Sequence, residues 1–143
     1  MERQGAMGRF TATMVVANNQ DVQMARGGAS SPDKIRSVTI DGVVDSGAAN
    51  LVLPRRIAQQ LGLNVVGQAK VRYAGQRRAK RQLVEEVRVE ILGRHGAFQA
   101  LVEPARETAL IGAIVLEALD LVVDCTIQKL RPRDPRGIVA EIE

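Results

Sequence analysis

The sequence predicts a single all-β domain with one or two short helices. Several runs of the chain alternate apolar and polar residues, which is the period of a strand with one buried face. Turn-forming residues separate these runs, and only two short stretches show the apolar spacing of a helix. At 143 residues the chain is long enough to bury one hydrophobic core. We therefore expect one lobe built mainly of strands.

The first half of the chain predicts two strands and a helix. RFTATMVVA (9–17) and IRSVTIDGVV (35–44) alternate, so each strand buries one face. A short helix fits PRRIAQQLG (54–62), because Pro54 suits a first helical position and Gly62 suits the end.

A long hairpin is predicted next. QAKVRYA (68–74) and RQLVEEVRVEIL (81–92) flank the Arg-rich GQRRAK, with Gly75 at the bend. GRHG (93–96) then predicts a turn, and AFQALVE (97–103) predicts another strand.

The last part of the chain predicts a short strand, ALIG (109–112), then one or two helical turns in AIVLEAL (113–119). LVVDCTIQKL (121–130) has the composition of a further strand. Residues 1–7 are a candidate N-terminal extension, and residues 133–143 form a loop-rich tail with a few apolar residues.

The cysteine and histidine content narrows the chemistry. One cysteine, Cys125, and one histidine, His95, argue against a zinc site built by the protein and against a Ser-His or Cys-His catalytic pair. If the chain is an enzyme, carboxylates are the candidate catalytic groups, and we expect no metal and no cofactor. A lone cysteine fits a reducing compartment, so we expect a cytoplasmic protein. Without a run of about 20 apolar residues or a signal-peptide pattern, we expect no membrane partner.

A net charge of +4 raises nucleic acid as a partner. Most of the excess lies in residues 72–82 and 129–136. Proteins that bind single strands interleave such charge with stacking aromatic residues, and this chain has only Phe10, Tyr73 and Phe98. A solvated hairpin and tail is therefore the favoured interpretation, and a basic nucleic-acid-associated protein stays open as an alternative.

The stretch VTIDGVVDSGAANLVLP (38–54) contains the motif that bears most on function. An apolar strand ends in Asp45, which is followed at once by Ser46, Gly47 and Ala48. An ordinary surface turn has this composition, and so does a loop that holds a catalytic carboxylate. The residues alone leave both interpretations open.

Three segments in this order, VVDSGAANLVLP, VRYAGQRRAKR and ALIGAIVLEALDLVVD, resemble the retropepsin-like aspartic proteases. The resemblance is closest to the small bacterial, single-lobe members of that clan, and it covers residues 8–132. It implies a closed β-barrel of the acid-protease type, active as a two-fold homodimer. The tail at residues 133–143 then becomes a candidate for the dimer interface.

The resemblance implies that Asp45 is catalytic and that a second Asp45 comes from a second copy of the chain. Two facing carboxylates would share one proton and activate a water between them. Ser46 would donate its hydroxyl across the two-fold axis, a role that the family more often gives to threonine. Gly47 would leave room for close backbone approach, and Ala48 would keep the floor of the substrate site small.

The resemblance also assigns a flap and a support. A flap that closes over an extended peptide or protein substrate would be formed by Tyr73, Ala74, Gly75 and Gln76. The catalytic loop would be supported from beneath by Leu110, Ile111 and Gly112.

Two positions depart from the viral members of the family. These members usually carry Asp and Arg where this chain has Ala49 and Ala113, so the ion-pair network that those residues form at the dimer base is absent. Three classes of function stay open: a homodimeric aspartic endopeptidase, a peptide-binding module of the same fold with weak or no turnover, and the nucleic-acid-associated protein.

Overall fold

The computed structural model describes residues 9–143, so the extension predicted at residues 1–7 lies outside the described residues. Within this range the chain forms nine strands: β1 (Arg9–Asn18), β2 (Ser37–Asp45), β3 (Leu51–Pro54), β4 (Val65–Arg72), β5 (Arg78–Ile91), β6 (Arg94–Glu103), β7 (Ala109–Ile111), β8 (Leu121–Asp124) and β9 (Lys129–Pro132). The same range holds three α-helices: α1 (Asn19–Arg26), α2 (Arg55–Gln60) and α3 (Ala113–Ala118).

Six of these strands close into a barrel. Their order around the ring is β1-β2-β7-β3-β6-β5, and β5 pairs again with β1 to complete the ring. β4 pairs only with the first half of β5, so these two strands form a long hairpin. β8 and β9 form a separate two-stranded hairpin. The predicted all-β closed barrel is confirmed, with three short helices in the described range where one or two were expected.

β7 lies between β2 and β3. It pairs in parallel with β2, where Val44 is opposite Ile111, and in antiparallel with β3, where Val52 is opposite Leu110. The chain therefore leaves β2, makes a loop over residues 46–50, and returns as β3 on the far side of β7. This loop, called the catalytic loop below, consequently lies beside the start of α3, which follows β7 directly.

One hydrophobic core fills the barrel. The apolar faces predicted for β1 and β2 point into it, with Met14, Val16 and Val44 fully buried. Both α2 and α3 add buried side chains to the same core, including Ile57 and Val115. A single contiguous core agrees with the prediction of a single lobe.

The turn predicted at residues 93–96 is wrong. The chain turns at Leu92 and Gly93, whose φ angles are 53° and 79°, and β6 already begins at Arg94. His95 therefore lies in a strand rather than in a turn. Leucine rarely adopts a positive φ, so the local sequence gave no signal that the turn begins there.

The single strand predicted at residues 121–130 is also wrong. The chain forms β8, turns, and returns as β9, and Cys125 is exposed in the turn. Asp124 starts this turn by accepting a hydrogen bond from the Thr126 N–H at 3.1 Å, as aspartate often does.

The helix α1 was not predicted, although its capping residues are visible in the sequence. The Asn18 side chain accepts a hydrogen bond from the Asp21 N–H at 3.1 Å and so caps the helix. Asp21 in the first turn and Arg26 in the last turn both interact favourably with the helix dipole. The start of α1 was missed because the alternating pattern of β1 continues through Ala17, directly before the capping residue.

The C-terminal tail, residues 133–143, is held on the barrel by Asp120. The Asp120 carboxylate accepts hydrogen bonds from Arg133 Nε at 2.7 Å and from the Val139 N–H at 3.0 Å. The Val139 hydrogen bond lowers the pKa of the Asp120 carboxyl, burial opposes this shift, and Arg133 adds to the lowering. The net shift is downward, so Asp120 holds the tail as an anion. The tail leaves apolar side chains in solvent, above all Ile142, which is 92% exposed.

We expect Asp120→Asn to lower the melting temperature at pH 7 by weakening this attachment. Asparagine tolerates the positive φ of this position (56°), so the backbone is not perturbed. Because the folded-state pKa is depressed, the stabilisation is complete above about pH 4 and is lost as the pH falls through the folded pKa. The difference in melting temperature between wild type and variant should therefore shrink in acid. Asp33→Asn, in an exposed turn, is the control, and a difference that does not change with pH would contradict the role of the Asp120 charge.

Candidate active site

Asp45 is the last residue of β2, and the turn that follows it orients its carboxylate. The Gly47 N–H donates to Asp45 Oδ1 at 3.0 Å, and the Ala48 N–H donates to the Asp45 main-chain oxygen at 3.1 Å. A Cβ on Gly47 would lie 3.3 Å from Asp45 Oδ1, so glycine gives this carboxylate its room. The Asp45 side chain is 16% exposed, whereas Ser46 is exposed. The turn thus holds one fixed carboxylate at the molecular surface.

The start of α3 holds the catalytic loop. The Ala113 N–H donates to the Ala48 carbonyl at 2.8 Å, and the Ile114 N–H donates to the Ala49 carbonyl at 3.0 Å. The first N–H groups of a helix have no partner inside the helix, so these two are free to bond the loop. Because both hydrogen bonds join main-chain atoms, they fix the loop whatever side chains it carries.

Gly112 lies directly against the catalytic loop. A Cβ at this position would stand 2.3 Å from the Asn50 main-chain oxygen and 2.8 Å from the Ala49 carbonyl carbon. Leu110 and Ile111 precede it in β7, beside β2 and β3. The three residues that the sequence assigned to support therefore lie beside and against the loop.

Among the described residues, Arg9 is the cation that forms an ion pair with the candidate catalytic carboxylate. β1 pairs with β2 so that Arg9 is opposite Asp45, and Arg9 Nη2 lies 3.3 Å from Asp45 Oδ2. The Arg9 side chain is 60% exposed, and exposed ion pairs contribute little to stability. Its guanidinium can therefore leave Asp45 at small cost.

The predicted flap residues form the tip of the β4–β5 hairpin. Tyr73 begins the tip, its N–H donating to the Arg77 carbonyl at 2.8 Å. Ala74, Gly75 and Gln76 make one exposed 3₁₀ turn, in which Gly75 has a φ of 82°. Glycine takes this conformation at no steric cost, so the bend lies where the sequence predicted it.

A cavity of about 320 Å³ lies between the catalytic loop and the part of this hairpin next to its tip. The loop contributes Ala48 and Asn50 to its lining, and the hairpin contributes Val71, Arg72 and Tyr73. We call it the loop–hairpin cavity. It brings Ala48 and Tyr73 together, whereas Asp45 and the other three residues of the tip, Ala74, Gly75 and Gln76, do not line it.

A polar network runs along one wall of the loop–hairpin cavity. The Tyr73 hydroxyl and Arg81 Nε each donate to a different oxygen of Glu103. Burial raises the pKa of the Glu103 carboxyl, but these two hydrogen bonds and the charge of Arg81 outweigh burial and lower it. Burial and the hydrogen bond to Glu103 raise the pKa of Tyr73. The guanidinium of Arg77 covers the Tyr73 ring at 4.2 Å from its centroid.

Sequence reasoning missed the charged residues around the candidate site: Arg9, Arg81, Glu103 and Arg106. Arg9 is brought to Asp45 by the register of β1 on β2, and Glu103 meets Arg81 because β6 pairs with β5. The only signal in the sequence was that opposite charges stand on two strands predicted as neighbours.

Neither a metal centre nor a membrane span is found in the described range. Among residues 9–143, no three His, Cys, Asp or Glu side chains are close enough to hold a metal ion. No helix of that range is long and apolar enough to cross a membrane.

Comparison with known proteins agrees with this geometry. The sequence profile of a family described as aspartyl protease matches residues 31–115, which is more than half of the chain. The EIAV protease, solved in complex with the inhibitor HBY-793, has a similar structure, with a TM-score of 0.53 and 16% sequence identity. The match covers 78% of this chain and 88% of the viral one. No protein with a curated description matches the chain.

We expect Gly112→Ala to destabilise the fold, because the added Cβ would collide with the main chain of the catalytic loop. Overpacking of this kind costs about 1–3 kcal/mol in free energy of unfolding, which thermal or denaturant unfolding would detect. Gly67→Ala is the matched control, since a Cβ there meets nothing within 4 Å. Equal stability of the two variants would show that Gly112 does not support the loop.

Proposed function

The chain belongs to the aspartyl protease family, and we propose that it is an endopeptidase that cleaves peptide bonds in an extended peptide or protein. In this proposal Asp45 is the catalytic residue, and two copies of the chain form one active site. The observation that carries the proposal is the turn at Asp45, in which Gly47 orients a lone carboxylate while α3 fixes the loop behind it.

The proposed reaction needs one ionised and one protonated carboxyl. Two carboxyl groups about 3 Å apart cannot both ionise cheaply, so the pair of Asp45 side chains shares one proton. The ionised Asp45 accepts a proton from a water, whose oxygen attacks the carbonyl carbon of the scissile bond. The protonated Asp45 donates its proton toward the carbonyl oxygen. When the tetrahedral intermediate breaks its C–N bond, the departing nitrogen takes the proton that the first Asp45 accepted from the water. A hydroxyl of the intermediate returns a proton to the other Asp45, which regenerates the pair as the two products separate.

The need for a second copy follows from the count of motifs. The chain contains one Asp-Ser-Gly-Ala sequence, so a second Asp45 has to come from a two-fold partner. Ser46 is exposed beside Asp45, which suits a hydroxyl that donates across the two-fold axis. Apolar residues of the tail remain in solvent, with Ile138 half exposed and Ile142 almost fully exposed. A partner chain that covers them would give the dimer an apolar contact in place of the ion pairs that Ala49 and Ala113 cannot form.

The hairpin tip is proposed as the flap that closes over substrate. An extended peptide binds by pairing its main chain with a free strand or turn, and the exposed main chain of Ala74, Gly75 and Gln76 offers such groups. Closure needs a bend that can change, and the left-handed φ angles of Gly75 and Gln76 (82° and 68°) lie at this tip.

The Arg9–Asp45 ion pair favours a second candidate, a peptide-binding module without turnover. A carboxylate that stays paired with Arg9 is an anion with no shared proton, so it binds but does not cleave. In the endopeptidase, the exposed Arg9 guanidinium has to swing away when the second Asp45 approaches. The endopeptidase and the peptide-binding module therefore both bind peptides, but only the endopeptidase cleaves them.

We expect Asp45→Asn to abolish peptide cleavage, because an amide pair can neither accept the water proton nor donate the shared one. Cleavage of a randomised peptide library, followed by mass spectrometry, would measure this. Two amides avoid the repulsion of two partly desolvated carboxyls, so the melting temperature should stay the same or rise. Asp41→Asn, exposed on the same strand, is the control and should cleave normally. Retained cleavage in Asp45→Asn would refute the proposed site, and unfolding of that variant would show that Asp45 is a structural turn residue.

We also expect the protein to sediment at twice its chain mass of 15.5 kDa at micromolar concentration. Ile142→Asp should shift it toward the monomer and lower cleavage in parallel, because a charge would enter the apolar contact. Ile127→Asp, at a position that is similarly apolar and 57% exposed in the β8–β9 turn, should do neither. A monomer that cleaves peptides would contradict the shared site.

A further inference from the structure

The loop–hairpin cavity carries more positive than negative charge. Arg72, Arg81 and Arg106 line it, and Glu103 is the one carboxylate among its lining residues. Both Glu103 oxygens are already occupied, one by the Tyr73 hydroxyl and the other by Arg81. Glu103 also attracts Arg106 electrostatically, but its single negative charge stands against three positive charges in this lining.

Arg106 is fixed at the cavity wall without being neutralised. Its Nε donates to the Thr108 carbonyl at 2.9 Å, and its Nη2 lies 3.4 Å from both Thr108 Oγ1 and the Ala109 carbonyl. These three acceptors are uncharged, so they orient the half-buried Arg106 side chain without balancing its charge, which Glu103 offsets only in part because it also pairs with Arg81. Arg72 stands in the exposed part of the lining and forms no ion pair with any described residue.

Apart from Asn50 and Tyr73, the remaining walls of the cavity are apolar. They come from Val52, Val71, Leu101 and Leu110, with Ala48 on the side of the catalytic loop. A guest that suits this lining has an apolar stem for these walls and an anionic head for Arg72 and Arg106. Because Ala48 lies three residues after Asp45, the cavity opens beside the position where a scissile bond would be held.

We propose that the loop–hairpin cavity selects an acidic side chain, glutamate or aspartate, at one position of the peptide substrate near the scissile bond. This assignment rests on the proposed function for its relation to cleavage. A carboxylate head can form charge-assisted hydrogen bonds with Arg106 and Arg72. A lysine or arginine side chain is repelled by the same groups. An apolar side chain would bury guanidinium groups without giving them a partner.

The carboxamide is the most stringent comparison, because glutamine has the shape of glutamate without its charge. A hydrogen bond between guanidinium and carboxylate carries charge on both partners, whereas one between guanidinium and carboxamide carries it on the donor alone. Loss of the second charge should separate the two side chains about ten- to a hundredfold in affinity. The site is specific because its hydrogen-bond donors are positively charged guanidinium groups, and a carboxylate balances that charge whereas a carboxamide does not.

The test uses the full-length Asp45→Asn variant, so that binding is measured apart from cleavage. The variant is first exposed to an array of randomised peptides of about ten residues, to find the preferred side chain at each position. Matched peptides with Glu or Gln at the selected position are then titrated by calorimetry. We expect acidic enrichment at a single position and about ten- to a hundredfold tighter binding of the Glu peptide.

Three further substitutions and one control substitution test whether this preference belongs to the cavity. Added to Asp45→Asn, Arg72→Gln should reduce the Glu/Gln affinity ratio at least severalfold. Arg106→Gln should reduce the Glu/Gln affinity ratio further. Arg106→Lys keeps the charge and should restore much of the ratio. This variant therefore separates loss of charge from a mere disturbance of Thr108 and Ala109. Arg55→Gln removes an exposed arginine of α2 that does not line the cavity, so it should leave the ratio unchanged.

The proposal is overturned by any of three results: no peptide bound, acidic enrichment spread evenly over all positions, or an equal effect of Arg55→Gln and Arg72→Gln. Even enrichment would mean that the net positive charge of the protein attracts acidic peptides without a defined pocket. Wild-type cleavage of the selected peptides reports separately on the proposed function. Binding without cleavage would support the acidic pocket and refute the endopeptidase.

Discussion

Two main-chain hydrogen bonds from the start of α3 hold the loop that follows Asp45, and the rest of the site depends on them. They exist because β7 is inserted between β2 and β3, which brings the first N–H groups of α3 to the carbonyls of Ala48 and Ala49. The approach is so close that position 112 has no space for a side chain. Burial of the barrel core is thereby linked to the orientation of one carboxylate, since the loop cannot shift without breaking the pairing of β7.

The same geometry gives the described chain one half of the proposed site. The Gly47 N–H orients Asp45 from one side, and Arg9 approaches from another, while Ser46 projects into solvent. No second carboxylate is supplied by the barrel at this turn, because the corresponding strand end, at Ile111, is followed by Gly112 and Ala113. In the proposed function, one strand end carries the catalytic carboxylate and the other supports the loop beside it. The second carboxylate is then proposed to come from a second copy of the chain.

The sequence predicted what local patterns encode and missed what distant pairing creates. Strand alternation identified the inward faces of β1 and β2, and the Asp-Ser-Gly-Ala motif located the turn. The β8–β9 hairpin was missed because its turn, CTIQ, contains neither glycine nor proline. In β5, a bulge at Glu86, with a φ of 56°, lets both Val84 and Val87 point inward, which simple alternation cannot predict. The Glu103–Arg81 pair depends on how β6 pairs with β5, and no local pattern contains that information.

The basic stretch at residues 72–82 shows how structure changes the meaning of composition. As a sequence it is a cluster of cations that suggests nucleic acid, but in the barrel its members are organised around one aromatic ring and one carboxylate. Arg77 covers the ring of Tyr73, the Tyr73 hydroxyl and Arg81 share Glu103, and Arg72 lines the cavity beside them. Tyr73 is thus occupied on its face and at its hydroxyl, so it is poorly placed to stack on a base. Because Tyr73 also begins the hairpin tip, its bond to Glu103 anchors the start of the tip. In the proposed flap, the residues that bend are then Gly75 and Gln76, which have left-handed φ angles. Charge in this hairpin therefore fixes one end of the proposed flap and gives the adjoining cavity its positive character.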